Sequence, residues 1–335
     1  MNRSVSHFLT QFGVFLVLGS VPAAGQSFES VGQRALGMGG AFVAVADDSS
    51  ATWWNPAGLA TGPFLDVSIG RASGTADTHL PASRRGVWSL ALATPPLGVS
   101  YYRLRITDIR AIAPTEEPAG DREDRAAGMG IRSLSVSQFG ATVLHTITTG
   151  VSAGATVKFL RGTVRARQLD GSDDLSDLLD AGDDLEGGEG QGTVDVDLGV
   201  LATVGALRIG VTGRNLREPR FAGWALSRQV RAGVAFDGAA AGLRPVLVSL
   251  DVDLRRYAAA TGDRRVIAFG GEHWLRPRRI AVRGGARFNT VGEHERTVTA
   301  GASVAVRPGR FVEGHAVYGG NASERGWGLA ARVSF

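Results

Sequence analysis

Apolar and polar side chains alternate with a period of two along most of this 335-residue chain, from Pro63 to its last residue. In one run, Val194 and Val196 share one face of an extended chain, and Asp195 and Asp197 share the other. This pattern is typical of a β-strand that has one apolar and one polar face. The chain is therefore predicted to be all-β.

Fourteen segments show this alternation, and an even number of strands suits a closed antiparallel barrel. Long connections such as 109–131 and 170–192 follow odd-numbered strands, whereas tight turns such as 94–96 and 148–150 follow even-numbered strands. Outer-membrane barrels have this asymmetry, because their periplasmic turns are short and their outside loops are longer. A soluble sandwich has no reason for it. The predicted strands cover 63–72, 86–94, 97–107, 132–146, 149–168, 193–204, 205–215, 226–236, 243–254, 264–275, 279–289, 296–306, 310–319 and 325–335.

The composition agrees with a membrane barrel. Hydrophobic residues make up 44% of the chain and charged residues 20%, and no cysteine is present to form a disulfide or carry a lipid. After the first residues, no apolar run approaches the ~20 positions of a membrane-spanning helix, whereas a barrel strand needs only ~9 to 11. Aromatic residues, at 7%, are scarce for a barrel with aromatic girdles.

The chain is predicted to divide into three parts. A positive charge at Arg3, the mostly apolar stretch 8–18 and the small residues after it indicate an export signal. We therefore predict a signal peptide over 1–25, an N-terminal plug, or hatch, over 26–62, and a transmembrane barrel over 63–335.

The last strand carries a second location signal. Trp327, Leu329 and the terminal Phe335 share one face, with Arg332 and Ser334 on the other. The aromatic ending resembles the C-terminal signal by which outer-membrane barrels are recognised for assembly. The predicted location is the outer membrane of a Gram-negative-type envelope, with its lipids and the barrel-assembly machinery (through Phe335) as partners.

Residues 26–62 do not alternate, and they contain signals for short helices. A carboxylate at Asp47 or Asp48 can cap a helix that runs through Trp54, because it accepts hydrogen bonds from free N–H groups in the first turn. Asn55 before a proline ends that helix and can cap another turn. A barrel of fourteen strands is too wide to be filled by its own wall, so this segment is predicted to plug it.

The stretch RALGMGGAFVAVADDSSATWWNPAGLA, residues 34–60, closely resembles the N-terminal hatch of the FadL family of outer-membrane transporters for long-chain fatty acids and other hydrophobic compounds, including its PorV-like branch. The rest of the chain agrees with that family in strand count and loop asymmetry only. The resemblance implies a plugged 14-stranded barrel whose gate is formed by Asn55, Pro56, Ala57 and Gly58. The alternative is that these four residues only terminate helices.

Six apolar residues are candidate ligand contacts. Three lie in the hatch, where aromatic rings offer a large apolar area. Three leucines recur at helical spacing in the third outside loop, after Ser172 and Asp173 and before Gly182, and the family resemblance implies that such loops form an apolar capture groove. The many carboxylates of this loop equally favour a solvated acidic loop. The candidates are Phe42, Trp53, Trp54, Leu175, Leu178 and Leu179.

No catalytic chemistry is predicted. The run Gly150-Val-Ser-Ala-Gly154 fits a nucleophile elbow, but that motif must join a strand to a helix, and here it opens a strand. Its small residues are better explained by crowding near the plug. The sequence contains no metal-ligand cluster, phosphate loop or nucleotide fingerprint, so no cofactor or metal is expected.

Charged residues within the strands are predicted to line the lumen, because a charge that faces lipid at mid-bilayer costs ~2 to 4 kcal/mol. The pairs Asp195/Asp197 and Asp251/Asp253 are carboxylates of this kind. Nucleic-acid binding is not expected despite the net charge of +4, because the basic residues are scattered singly. The predicted partners of the carboxylates are Arg208, Arg231, Arg283, Arg287 and Arg332.

The resemblance implies a non-enzymatic channel for the passive uptake of hydrophobic small molecules such as long-chain fatty acids. The alternative is a PorV-like barrel that acts as a scaffold or shuttle for secreted proteins.

Overall fold

The computed structural model describes residues 26–77, 80–111, 129–169, 174–260, 262–276, 279–292, 294–320 and 324–335. The predicted signal peptide lies outside the described residues, as do Ser172 and Asp173, which were expected to precede the loop helix.

The described residues form eighteen strands, numbered in chain order. They are β1 (Asp66–Ala76), β2 (Ala82–Thr94), β3 (Leu97–Ala111), β4 (Met129–Thr148), β5 (Val151–Leu169), β6 (Gly190–Val204), β7 (Leu207–Arg214), β8 (Arg220–Phe221), β9 (Trp224–Ala225), β10 (Gln229–Asp237), β11 (Val246–Asp253), β12 (Tyr257–Ala259), β13 (Gly262–Arg264), β14 (Val266–Arg276), β15 (Ile280–Asn289), β16 (Arg296–Arg307), β17 (Arg310–Gly319) and β18 (Arg325–Ser334).

Within the described part of the chain, fourteen of these strands pair antiparallel into one closed barrel, which confirms the predicted fold. Barrel neighbours follow chain order, and β1 pairs with β18 to close the ring, with Asp66 opposite Ser334. The remaining strands form two short hairpins, β8 with β9 and β12 with β13.

The two faces of the wall follow the predicted alternation. Tyr102 is fully buried, and its hydroxyl lies 2.6 Å from Thr52 Oγ1 inside the barrel, whereas its neighbour Tyr101 is 41% exposed on the outer face. The structure also assigns β14, whose orientation the sequence left open: Glu272 points into the lumen and His273 points outward.

The N-terminal segment, residues 26–62, lies inside the barrel and contains α1 (Gln33–Gly37), α2 (Ala51–Trp54) and a 3-10 helix (Pro56–Thr61). α1 contacts β15 to β18, and the 3-10 helix contacts β4 to β6. α2 begins later than the predicted cap, after Ser50, because the Asp48 carboxylate accepts the Ser50 N–H at 2.9 Å and so closes the turn before the helix.

Candidate functional site

Two adjacent tryptophans hold the N-terminal segment together. Trp53 Nε1 donates to the Phe28 carbonyl at 2.9 Å, and Trp54 Nε1 donates to the Val31 carbonyl at 2.8 Å. The ring of Trp54 packs against Phe28 and Phe42, with centroids 5.2 and 5.9 Å apart. The three aromatic residues expected to contact ligand are fully buried and form the core of the segment in this conformation.

Asn55 connects the two short helices to the barrel wall. Its backbone is extended, with φ −160°, as expected before Pro56. Its Oδ1 accepts the Ala57 N–H at 3.1 Å, and its Nδ2 donates to the carbonyls of Val43 (2.9 Å) and Val200 (3.1 Å). This one side chain therefore caps a helix and also ties the segment to β6.

Glycines in the wall make room for the Asn55–Pro56 turn. Gly154 on β5 lies directly opposite Gly199 on β6. A Cβ atom on Gly154 would overlap the Pro56 backbone, and one on Gly199 would overlap Asn55 Oδ1. Gly154 closes the motif that resembled a nucleophile elbow, and its contact with Pro56 agrees with crowding near the plug.

A second pair of wall glycines makes room for the segment at Met38, directly after α1. Gly270 and Gly285 are also opposite each other, and a Cβ on either would overlap Met38. Gly58, the last of the predicted gate residues, packs within the segment, where a Cβ would overlap the Ala46 carbonyl. Backbone therefore packs against backbone both at Met38 and at Gly58.

A buried charge cluster lies beside Trp53. Lys158 Nζ is 2.8 Å from Asp195 Oδ2 and 2.6 Å from Asp197 Oδ1, and all three side chains are buried. The guanidinium of Arg214 lies 3.6 Å from the Trp53 ring centroid. The sequence predicted that both carboxylates face the lumen but did not identify Lys158 as their partner.

Glu29 brings a negative charge from the segment into a set of wall arginines. Arg231 Nη2 lies 2.6 Å from Glu29 Oε1, and Arg231 Nε lies 2.6 Å from Asp253 Oδ1. Burial raises the pKa of Glu29, but the attraction of Arg231, Arg264 and Arg287 together outweighs it and holds this pKa well below its ordinary value. Glu29 is therefore ionised at neutral pH.

Arg34 makes the complementary contact, from a cation on the segment to a carboxylate on the wall. Its guanidinium binds Glu272 through two hydrogen bonds of 2.9 Å, and it also pairs with Asp47. Arg283 approaches the same Glu272 at 2.6 Å. Burial lowers the pKa of Arg34, but Asp47 and Glu272 raise it well above the ordinary arginine value.

The other charges predicted for the lumen are also paired or hydrogen-bonded. The Asp251 carboxylate accepts the backbone N–H groups of Phe42 and Val43 at 2.8 and 2.9 Å. The remaining pairs are Arg208 with Asp237, Arg332 with Glu313 and Arg287 with Glu324.

The free space is distributed unevenly. Three cavities beside the N-terminal segment hold about 40, 20 and 10 Å³. A cavity of about 790 Å³ opens at the short-turn end, lined by Trp274, Phe311, Arg34 and Asp47. Another, of about 530 Å³, lies against the outer face of β1 to β3. These cavities beside the segment are therefore small, and the two larger ones lie at the mouth of the barrel and outside its wall.

The loop helix lies away from the hatch aromatics. α3 (Leu175–Asp183) packs on the outer face of the wall, where Leu178 and Leu179 are buried against Ala82, Ile109 and Ile131. Asp174 caps it, since its carboxylate accepts the Ser176 N–H at 3.1 Å. The structure thus brings Phe42, Trp53 and Trp54 together and separates them from the three leucines.

No group of three or more histidine, aspartate or glutamate side chains in the described ranges could hold a metal ion. No helix in the same ranges is long and apolar enough to cross a membrane.

Solved structures share this fold at low sequence identity. The toluene transporter TbuX of Ralstonia pickettii matches with a TM-score of 0.61 and 14% identity over 92% of this chain and 99% of that one. The toluene transporter TodX of P. putida matches with 0.59 and 10% identity over 92% and 99%. A FadL homologue of Pseudomonas aeruginosa matches with 0.56 and 9% identity over 93% and 100%. No curated protein matches the sequence.

The chain is thus a fourteen-stranded barrel whose lumen holds its own N-terminal segment, and it shares its fold with the FadL homologue. The family model described as "F plasmid transfer operon, TraF, protein" matches residues 86–253, which is half of the chain. The chain belongs to that family.

Proposed function

We propose that this protein is an outer-membrane channel that admits hydrophobic small molecules passively, with long-chain fatty acids among the candidate substrates. One observation carries the proposal: the barrel encloses its N-terminal segment, in a fold that it shares with toluene transporters over nine-tenths of its length. These relatives are similar in fold, and their substrates suggest the chemical class rather than the compound.

The outer face supports a membrane location. Large apolar side chains such as Leu198 and Val200 are nearly half exposed there, and Trp88, Tyr318 and Trp327 project from the same face. Exposed apolar side chains around the whole wall are unfavourable in water but match the apolar belt and aromatic girdles of an outer-membrane barrel.

The route for a ligand requires the N-terminal segment to move. The cavities beside it are too small for any hydrocarbon of the proposed class, so the closed conformation conducts nothing of that size. Displacement of the turn at Asn55 would uncover Phe42, Trp53 and Trp54 and connect the lumen to the cavity at the short-turn end. Capture by Leu175, Leu178 and Leu179 requires α3 to detach from the wall, because two of them are buried against it.

A disulfide lock tests this movement directly. Ser49 Oγ on the segment lies 2.8 Å from Ser68 Oγ on β1, and the natural chain has no cysteine to compete. We expect the oxidised Ser49→Cys/Ser68→Cys protein to lower uptake of toluene or a fluorescent fatty acid at least about tenfold in cells, and a reductant to restore it. Each single cysteine variant serves as the matched control.

The outcomes separate the parts of the proposal. If the oxidised lock leaves uptake unchanged, the gate does not involve movement at Ser49. If the wild-type chain gives no more uptake than cells that lack it, the transport function itself is wrong.

A second function, a scaffold or shuttle for secreted proteins, is favoured by the filled lumen. Glu29 and Arg34 of the segment pair with charged residues of the wall, so the segment occupies space that a ligand would need. Reproducible co-purification of the same exported proteins, combined with uptake no higher than in cells lacking the chain, would support this function over transport.

A further inference from the structure

The outer face of β1 to β3 carries arginines where apolar residues are expected. Arg71, Trp88 and Arg103 lie directly opposite one another across the three strands. The next outward positions bring Arg105 on β3 and Arg84 on β2 to the same region. The five residues line the cavity of about 530 Å³.

The row below these arginines is apolar. Ile69, Leu90 and Tyr101 are opposite one another in the same register, and they are 52%, 47% and 41% exposed. The arginine row lies two residues away from this apolar row along each strand. Such a boundary is where acyl chains end and charged headgroups begin, given the membrane location proposed above.

α3 covers one side of the cavity, and its Asp180 and Asp183 neutralise only part of the positive charge of the arginines. Arg84 pairs with Asp180 and Asp183, and Arg105 Nη1 donates to the Asp183 carbonyl at 2.9 Å. Arg71 lies over the Trp88 ring, 5.3 Å from its centroid, and among the described residues neither it nor Arg103 has a carboxylate partner. The cavity is also lined by Arg85, which pairs with Glu324. The four outward arginines exceed the two aspartates by two charges, which favours an anionic phosphate group.

We propose that this cavity binds the phosphorylated headgroup of an outer-leaflet lipid, with Arg71 and Arg103 as its phosphate ligands. Guanidinium groups match phosphate geometry through paired N–H donors. The lipid's acyl chains would lie on the exposed row of Ile69, Leu90 and Tyr101. The bound headgroup would supply the negative charge that the wall lacks, next to α3.

The test compares two pairs of outward arginines in the purified full-length barrel. Arg71→Gln/Arg103→Gln removes the proposed ligands. Arg296→Gln/Arg325→Gln is the matched control, because both residues are exposed at strand ends, neither lines the cavity, and Arg325 also lies over an aromatic ring, Tyr318. Phosphatidylglycerol is titrated into each detergent-solubilised protein, and bound lipid is counted by native mass spectrometry.

We expect the first pair to weaken phosphatidylglycerol binding at least about tenfold and the control pair to change it less than about twofold. Equal effects of the two pairs, or none, would overturn the proposal. A parallel arm uses inorganic phosphate alone: if it binds the wild-type barrel as tightly as the lipid does, the ligand is free phosphate and the lipid assignment is wrong.

The measurement does not depend on transport. Circular dichroism and heat-dependent gel mobility establish that each variant is folded. A wild-type barrel that binds the lipid through Arg71 and Arg103 but gives no hydrophobic uptake would contradict the proposed function and leave this site standing.

Discussion

The N-terminal segment and α3 lie on opposite faces of the same barrel wall, and their attachments differ in kind. The segment is buried in the lumen, where Glu29 pairs with the buried Arg231 and Arg34 pairs with the buried Glu272. α3 lies on the outer face. The side chain of its Asp180, which pairs with Arg84 of the wall, is 65% exposed.

The difference shows how burial changes the effect of an ion pair. An exposed pair gains little, because water and salt screen it. A buried pair is not necessarily worth more than an apolar substitute, but removing one partner leaves an uncompensated charge and is strongly destabilising. Loss of a single charge is therefore expected to change the docking of α3 little and to weaken the docking of the N-terminal segment strongly.

The largest expected effect comes from Lys158→Met. The substitution removes the cation that the two buried carboxylates share and leaves only Arg214, 3.6 Å from Asp197 Oδ2, which should lower the free energy of unfolding by about 3 to 5 kcal/mol. Urea unfolding in detergent, followed by tryptophan fluorescence, measures it. The double variant Lys158→Met/Asp195→Asn, which keeps the pair of Arg214 with Asp197, should recover part of the loss; if it is as unstable as the single variant, charge is not the cause.

A smaller effect is expected from closing the space under the Asn55 turn. Gly199→Ala places a methyl group where Asn55 Oδ1 lies and should cost about 1 to 3 kcal/mol while making the N-terminal segment more accessible to protease. Gly86→Ala is the control, because no atom lies within 4 Å of its added Cβ. Identical stability of the two variants would show that the turn does not need this glycine.

Acid should weaken the docking of the segment through Glu29. Its pKa is held below the ordinary value of 4.5 in the folded protein, so its contribution is complete above that pH and is lost progressively as the pH falls further. We expect protease access to the segment to rise only below about pH 4.5. Glu29→Gln should already loosen the segment at pH 7 and flatten this acid response; an unchanged acid profile would assign the response to other carboxylates.

The smallest effect is expected on the outer face. Asp180→Ala removes a largely exposed partner of Arg84 and should change the stability of α3 by no more than about 1 kcal/mol. Hydrogen exchange over residues 174–184 measures it, with Asp177→Ala, also exposed, as the control. A loss comparable to that of Lys158→Met would contradict the contrast between the two faces.

Much of the barrel could be predicted from the sequence, because lipid outside and a packed polar lumen inside impose a period of two on each strand. All fourteen predicted strands overlap a barrel strand, and β5 was placed within about one residue of its true end. The residues Asp195 and Asp253 were correctly placed on the inner face for the same reason.

Pairing across the lumen could not be predicted in the same way. Lys158 is 37 residues from Asp195 along the chain, and only the register of β5 against β6 makes them neighbours. Likewise, Glu29 and Arg231 meet because the segment folds back into the ring. Periodicity assigns a residue to a face, but it contains no information about which residue stands opposite.

By itself the sequence determined the strands, the inner and outer faces of the wall and the helix breaks around Asn55, because these depend on local conformation and on the solvent that each face meets. Only the tertiary structure decided that Trp53 and Trp54 form a closed core and that α3 packs outside the wall. It also decided that the arginines of β1 to β3 meet in one cavity. Those features depend on the register and closure of the barrel, which join residues far apart in the chain.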